Sequence, residues 1–187
     1  PIDYKAHLEA SGKRLVYSGF AVPLEDVRLV AEVTHQAVEV KTFTATRGDG
    51  QVSLTGRIVG AADASGQTSV CLDVAATKFL LDDVFWKAAE KEIVHLPPAM
   101  RLGGTVDVTG RLSRNVPSEH CDAMKLAVVC KDNPVLISGT SAGIVSGMIY
   151  LDAGQVRLEN FIIDDVVLTP ELGAAMPPRL KQAYERF

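Results

Sequence analysis

The sequence predicts a mainly β fold, an antiparallel meander sheet bent into a trough or a sandwich, with two short amphipathic helices. Three observations predict it. Valine is used heavily while aromatics make up only 6% of the chain, and β-branched side chains suit a pleated, half-buried surface. Apolar and polar residues alternate through run after run. Turn residues separate those runs at roughly the 8–12 residue spacing of consecutive hairpins.

Residues 4–18 are mixed, and His7, Leu8, Leu15, Val16 and Tyr17 outline a strand around a turn at Ser11-Gly12. From Val27 the alternation sharpens: Val27, Leu29, Ala31 and Val33 stand against Arg28, Glu32 and Thr34. Val38, Val40 and Thr42 then oppose Glu39 and Lys41, up to a turn at Arg47-Gly48-Asp49-Gly50, whose glycines permit the positive φ of a hairpin. Val52, Leu54 and Ile58 alternate with Ser53, Thr55 and Arg57. A turn between Gly60 and Gly66 leads to Val70, Leu72 and Val74 against Ser69, Cys71 and Asp73. Beyond Gly103-Gly104, Val106, Val108 and Leu112 face away from Thr105, Asp107, Thr109 and Arg111. Further strand patterns cover 123–130, 135–138, 144–151 and 155–168.

Two segments read as helix. At about 82–95, Asp82-Asp83 supply a cap and acidic first turn, Phe85, Trp86 and Ala89 an apolar side, and Pro97-Pro98 a stop. At about 170–187, Pro170 and Glu171 open a second helix after Thr169. Capping is also the role expected of both carboxylate pairs, Asp82-Asp83 and Asp164-Asp165. Trp86 is expected to anchor the first helix on the sheet.

An internal repeat divides the chain. Phe79-Leu80-Leu81-Asp82-Asp83-Val84 returns as Phe161-Ile162-Ile163-Asp164-Asp165-Val166, and Pro97-Pro98 returns as Pro177-Pro178. Residues 1–110 form a first unit and 111–187 a second, truncated one, so the chain reads as part of a longer repeat protein. A repeat that cannot cover its own apolar face needs neighbours.

The net charge of -4 and pI near 5.6 lack the positive field that nucleic-acid binding requires. No apolar run approaches the roughly 18 residues of a membrane-spanning helix. The three cysteines, Cys71, Cys121 and Cys130, leave open a Cys121–Cys130 disulfide or free thiols within the sheet.

Over about Tyr17 to Phe187 the chain resembles the AsmA-like family, including its TamB-type members and the wider bridge-like lipid-transfer proteins. The resemblance rests on Phe20-Ala21-Val22-Pro23-Leu24-Glu25-Asp26-Val27, Gly50-Gln51-Val52-Ser53-Leu54-Thr55-Gly56-Arg57-Ile58 and Asp73-Val74-Ala75-Ala76-Thr77-Lys78-Phe79-Leu80-Leu81-Asp82. It implies a long β-sheet trough with an apolar inner face, periplasmic and anchored to the inner membrane, that carries phospholipid or supports outer-membrane biogenesis. The family's membrane anchor is not in this sequence, and the His and Cys of 117–132 have no counterpart in its pattern.

Several motifs invite chemical readings. Gly139-Thr140-Ser141-Ala142-Gly143 fits the nucleophile-elbow pattern and resembles the nucleophile turn of patatin-like lipases, but an elbow needs a helix after it, and Ile144–Leu151 has strand composition. No histidine follows Ser141. His120, Cys121 and Cys130 lack the paired spacing of a zinc site. Arg47-Gly48-Asp49 could present an integrin-type loop, and a polar turn is the commoner reading. No catalytic residue, metal ligand or cofactor is expected.

The leading expectation is a non-enzymatic lipid-binding or lipid-transfer module that holds acyl chains on Val38, Val40, Val52, Leu54, Ile58, Val70, Leu72, Val74, Val106 and Val108. Its partners would be phospholipid or another acyl lipid and neighbouring repeat units of the same chain. The alternative is a structural or protein-interaction module with a closed core, and a patatin-like lipase comes third.

Overall fold

The computed structural model describes residues 3–60, 68–92, 100–115, 121, 124–137, 139–152 and 155–167. In chain order these form β1 (Lys5–Tyr17), β2 (Phe20–Thr34), β3 (Ala37–Arg47), β4 (Gly50–Val59), β5 (Ser69–Leu80), α1 (Asp83–Glu92), β6 (Met100–Leu102), β7 (Thr105–Arg114), β8 (Lys125–Ile137), β9 (Thr140–Asp152) and β10 (Gln155–Asp164). All pairings are antiparallel and follow the chain, β1-β2-β3-β4-β5-β7-β8-β9-β10. β6 pairs with Val135–Ile137 of β8 while β7 pairs with Lys125–Cys130, so the ten strands fill nine positions in one open sheet.

The predicted alternation is realised strand by strand, with three instructive differences. Ser11 and Gly12 make no turn; they pair with Arg28 and Val27 inside an exposed edge strand. β2 begins at Phe20, well before the alternation sharpens, because a bulge at Asp26 breaks the pattern. The described parts of the segments 123–130 and 135–138 are joined in one strand, Lys125–Ile137, with a bulge at Lys131-Asp132 between them. Among the described residues α1 is the single helix, and the segment predicted to be helical at 170–187 lies outside them.

Four of the eight register shifts among the described residues share a line. Register shifts fall at Glu25/Arg28, Ala76/Phe79, Cys130/Asn133 and Glu159/Ile162. Each encloses a non-glycine residue at positive φ: Asp26 (48°), Lys78 (50°), Asp132 (53°) and Asn160 (49°). The pairs Glu25↔Thr46, Thr46↔Gln51 and Gln51↔Thr77 carry the line from Asp26 to Lys78. From there the Lys78 N–H donates to Asp107 Oδ1 at 2.9 Å, and the Asp132 N–H donates to Ser146 Oγ at 3.0 Å. Ser146 pairs with Ile162, at the far end of the register shift that encloses Asn160. Bulges bend and twist the strand that carries them, and these four fall in β2, β5, β8 and β10. A left-handed non-glycine residue costs about 1–2 kcal/mol, least for Asp and Asn. Three of the four are Asp or Asn, and at Lys78 the bond to Asp107 offsets the strain.

The same row gives the internal repeat a structural meaning. Phe79 and Phe161 each follow a left-handed residue, Lys78 and Asn160, in strands that run in the same direction. The unit boundary at 110/111 falls within β7, and the sheet runs through it without a break.

Between β6 and β7 the chain turns at Gly104 (φ 77°), and Asn133, 1% exposed, holds the junction. Its Nδ2 donates to the carbonyls of Gly103 (2.7 Å) and Thr105 (2.9 Å), while its Oδ1 accepts the Lys131 N–H (2.8 Å). A buried amide satisfied this fully fixes the bulge.

Candidate lipid-binding face

Alternation on a pleated sheet sends i, i+2 and i+4 to one side, and the registers place all ten predicted apolar residues on the same face. Val38, Ile58 and Val70 form one transverse row, and Leu54 and Val74 another. Val52, Ala76 and Val108 form a third, and Val106 lies opposite Phe79. The reverse face carries Glu39, Lys41, Ser53, Thr55, Arg57, Asp73 and Thr109, all exposed.

The ten do not share one environment. Val38, Val40, Leu54, Ile58 and Leu72 belong to a cluster around Val27, Phe43 and Ala45, with Leu24 and Leu29 against it. Val106 and Val108 belong to a second cluster with Leu81, Cys130, Val135, Ile137, Ala142 and Val145. Val106 (3% exposed), Val40 and Val52 are buried, and the other seven are half-buried. A ligand could touch those seven without unpacking the sheet.

Residues from β8 and β9 extend the face beyond the predicted set. Leu126, Val128, Ile149 and Leu151 continue the rows through Gly110↔Leu126, Val108↔Val128, Val128↔Ile149 and Leu126↔Leu151. Their alternation is legible in the sequence, in strand segments whose side chains were not assigned to the face. Phe43, on β3 with Val38 and Val40, was also missed, because the Val40/Phe43 register shift breaks the simple alternation.

Helix α1 covers one part of the face. Asp82 caps it as predicted, its Oδ1 accepting the Phe85 N–H at 2.9 Å. Phe85 packs edge-on against Phe20, Phe79 and Trp86, with centroids 5.8, 5.6 and 5.1 Å away. Trp86 anchors the helix as predicted, its Nε1 donating to the Leu102 carbonyl at 2.7 Å. Arg101 ties the outer side through Asp83 and Glu90.

The Arg47-Gly48-Asp49 turn is a hairpin end with its arginine withdrawn. Arg47 is 6% exposed and donates to Asp82 Oδ1 (2.6 Å), the Leu80 carbonyl (3.2 Å) and the Pro23 carbonyl (3.3 Å), with its guanidinium over the Phe79 ring. An integrin-type loop would need this arginine in solvent. Here it joins β2, β3, β5 and the helix cap.

The cysteines pair otherwise than the sequence suggested. Cys71 is bonded to Cys121, joining β5 to the connection before β8, and Cys130 is a buried free thiol. Cys130 lies opposite Val106 among the apolar residues, whereas Cys71 alternates with Val70 and Leu72 and so faces the other side. Burial raises the Cys130 thiol above its ordinary pKa. The disulfide commits Cys121 to Cys71, and no cluster of metal-ligating residues stands among the described residues. Ser141 is in β9, exposed, and followed by strand rather than the helix a nucleophile elbow requires.

The polar face carries ion pairs and shallow clefts. The Lys78 backbone N–H and then the Lys131 ammonium hold the Asp107 carboxyl below its ordinary pKa. Lys5 and Lys41 do the same for Glu32. A cleft of about 530 Å³ lies among Gln51, Thr77, Lys78, Asp107 and Lys131, and one of about 370 Å³ among Asp26, Thr44, Gln51 and Ser53. A third, about 500 Å³, lies among Thr109, Tyr150, Asp152 and Arg157, with Leu126 and Leu151 beside it.

No family model, curated protein or solved structure matches this chain.

Proposed function

We propose that this chain is a lipid-binding or lipid-transfer module that holds acyl chains passively against the apolar face of its bent sheet. One observation carries the reading: among the described residues that face has no second layer apart from α1. Nine strand positions about 4.8 Å apart and strands about 33 Å long present on the order of 1,250 Å² per face. A ten-residue helix, about 15 Å by 10 Å, covers roughly an eighth of that area. A bend along the bulge row would make the sheet a trough. Acyl chains gain about 0.8 kcal/mol per buried CH₂ and require no catalytic group.

The resemblance to the AsmA-like and TamB-type proteins supports the same reading. So does the Cys71–Cys121 disulfide, which suits an oxidising compartment such as the periplasm. No described helix is long and apolar enough to cross a membrane, so inner-membrane anchoring belongs to the family resemblance alone. Neighbouring repeat units would continue the sheet from the β1 edge.

Transfer of a fluorescent phospholipid between vesicles tests the proposal. The wild-type chain should accelerate it and Leu72→Asp should not, while retaining its far-UV circular dichroism. Equal rates for both proteins and for vesicles alone would refute it.

A specific observation favours the alternative, a structural or protein-interaction module. All three clefts lie on the polar side, the third along the row Thr109, Ala127, Tyr150 and Arg157 with Leu126 and Leu151 beside it. Under that reading the half-buried apolar side chains pack closed against one another.

A further inference from the structure

We propose that the free edge of β10 is a self-association surface, taking the β10 strand of a second copy of this chain in antiparallel register about Leu158. Among the described residues nothing pairs with the outer side of β10. The strand is mostly exposed, with Val156 66% and Leu158 52% accessible, so the apolar rows reach this edge uncovered. An unpaired strand edge is a template for another strand unless charge, proline or a strong bend guards it.

The two edges of the sheet differ in that respect. β1 carries Lys5, Lys13 and Arg14 against Glu9, an excess of positive charge that opposes pairing with its own copy. β10 carries Arg157 and Glu159 on one face, 3.2 Å apart within the strand, with the Arg157 guanidinium 4.3 Å over the Tyr150 ring. This pair is self-complementary. In an antiparallel two-fold register about Leu158, Arg157 of each copy stands opposite Glu159 of the other, and Leu158 meets Leu158 on the apolar side.

The hydrogen-bond parity permits that register. Asp152 pairs with Gln155 across a link of two residues, and the pair closing so short a link exchanges both backbone bonds. Alternation then turns the N–H and C=O of Val156 and Leu158 outward. Leu158 would bond Leu158 across the axis, and Arg157 and Glu159 would sit at the closer, non-hydrogen-bonded positions. A two-fold axis normal to the sheet keeps apolar face with apolar face, so one continuous sheet results. The bulge at Asn160 ends the pairing on one side. An isologous contact closes at a dimer, whereas β10 meeting β1 would grow open chains.

Sedimentation of the whole chain across a dilution series tests this. A monomer–dimer equilibrium is expected. Arg157→Glu or Glu159→Arg alone should raise the dimer dissociation constant about tenfold or more, since two cross-strand pairs become like-charged, and the double swap R157E/E159R should restore it. Leu158→Pro, which removes an outward N–H from an edge strand, should give a monomer with unchanged circular dichroism. A monomer at every concentration, a dimer indifferent to charge reversal, single and double variants equally impaired, or open-ended oligomers would each overturn the proposal.

Discussion

Replacing Arg47 with Met removes the charge at the point where β2, β3, β5 and α1 meet while keeping most of the side-chain volume. The wild-type guanidinium is 6% exposed and makes three bonds, at 2.6 Å to Asp82, 3.2 Å to the Leu80 carbonyl and 3.3 Å to the Pro23 carbonyl. A hydrogen bond between two charged groups contributes about 1.5–3 kcal/mol, and the two long bonds from the guanidinium to carbonyls add about 0.5 kcal/mol each. Asp82 is 38% exposed, so water solvates its carboxylate once the arginine is gone, which places the first contribution at its low end. The expected loss is about 2.5 kcal/mol, seen as a Tm lower by about 5–10 °C at this chain length. Asp82→Asn retains a helix cap but not the ion pair and should cost about 1 kcal/mol. Urea and thermal unfolding of both variants measure these values. An Arg47→Met protein within 0.5 kcal/mol of wild type would mean that this arginine is solvated, and would return the Arg47-Gly48-Asp49 turn to the list of exposed loops.

The remaining predictions concern the cysteines, acid sensitivity and the apolar face. The Cys71–Cys121 bond spans a separation of 50 residues, so Cys71→Ser should destabilise by about 4 kcal/mol on the chain-entropy estimate. Thiol titration of the oxidised protein should find no fast-reacting group when native and one, Cys130, when unfolded; a fast native thiol would contradict the pairing. Because its partners depress the folded pKa of Asp107, this carboxyl contributes stability above its unfolded value and loses it as pH falls through the folded one. The stability gap between wild type and Asp107→Asn should therefore narrow below about pH 4, and a gap constant from pH 6 to pH 2.5 would count against the assignment. Val106→Asp, in the cluster under α1, should unfold the protein, whereas Leu54→Asp on the half-buried rows should leave cooperative unfolding intact. Equal collapse of both would show the face to be closed core.

Much of the sheet was legible because period-two alternation is a local property. Val27–Val33, Val52–Ile58 and Val70–Val74 each reveal their faces within a few residues, and Asp82 reveals the helix start. The candidate face was legible for the same reason. What escaped depends on contacts between distant strands. Arg47 reads as a hairpin-tip charge until Asp82, 35 residues on, is folded against it. Cys121 is nearer in sequence to Cys130, yet Cys130 faces the apolar side and Cys121 is bonded to Cys71. The left-handed residues Asp26, Lys78, Asp132 and Asn160 each disturb the alternation locally, and their alignment emerges only from the register. Asn133 sits between two strand patterns because its amide bonds the Gly103 and Thr105 carbonyls, a requirement set by the neighbouring strand.

Native mass spectrometry of the purified chain, with organic extraction and lipid analysis of whatever travels with it, tests the central claim most directly. The account predicts stoichiometric phospholipid or another acyl lipid on the wild-type protein, diminished on Leu72→Asp. A clean apo mass from a stable, cooperatively folding protein would contradict it and assign the chain to the closed structural module.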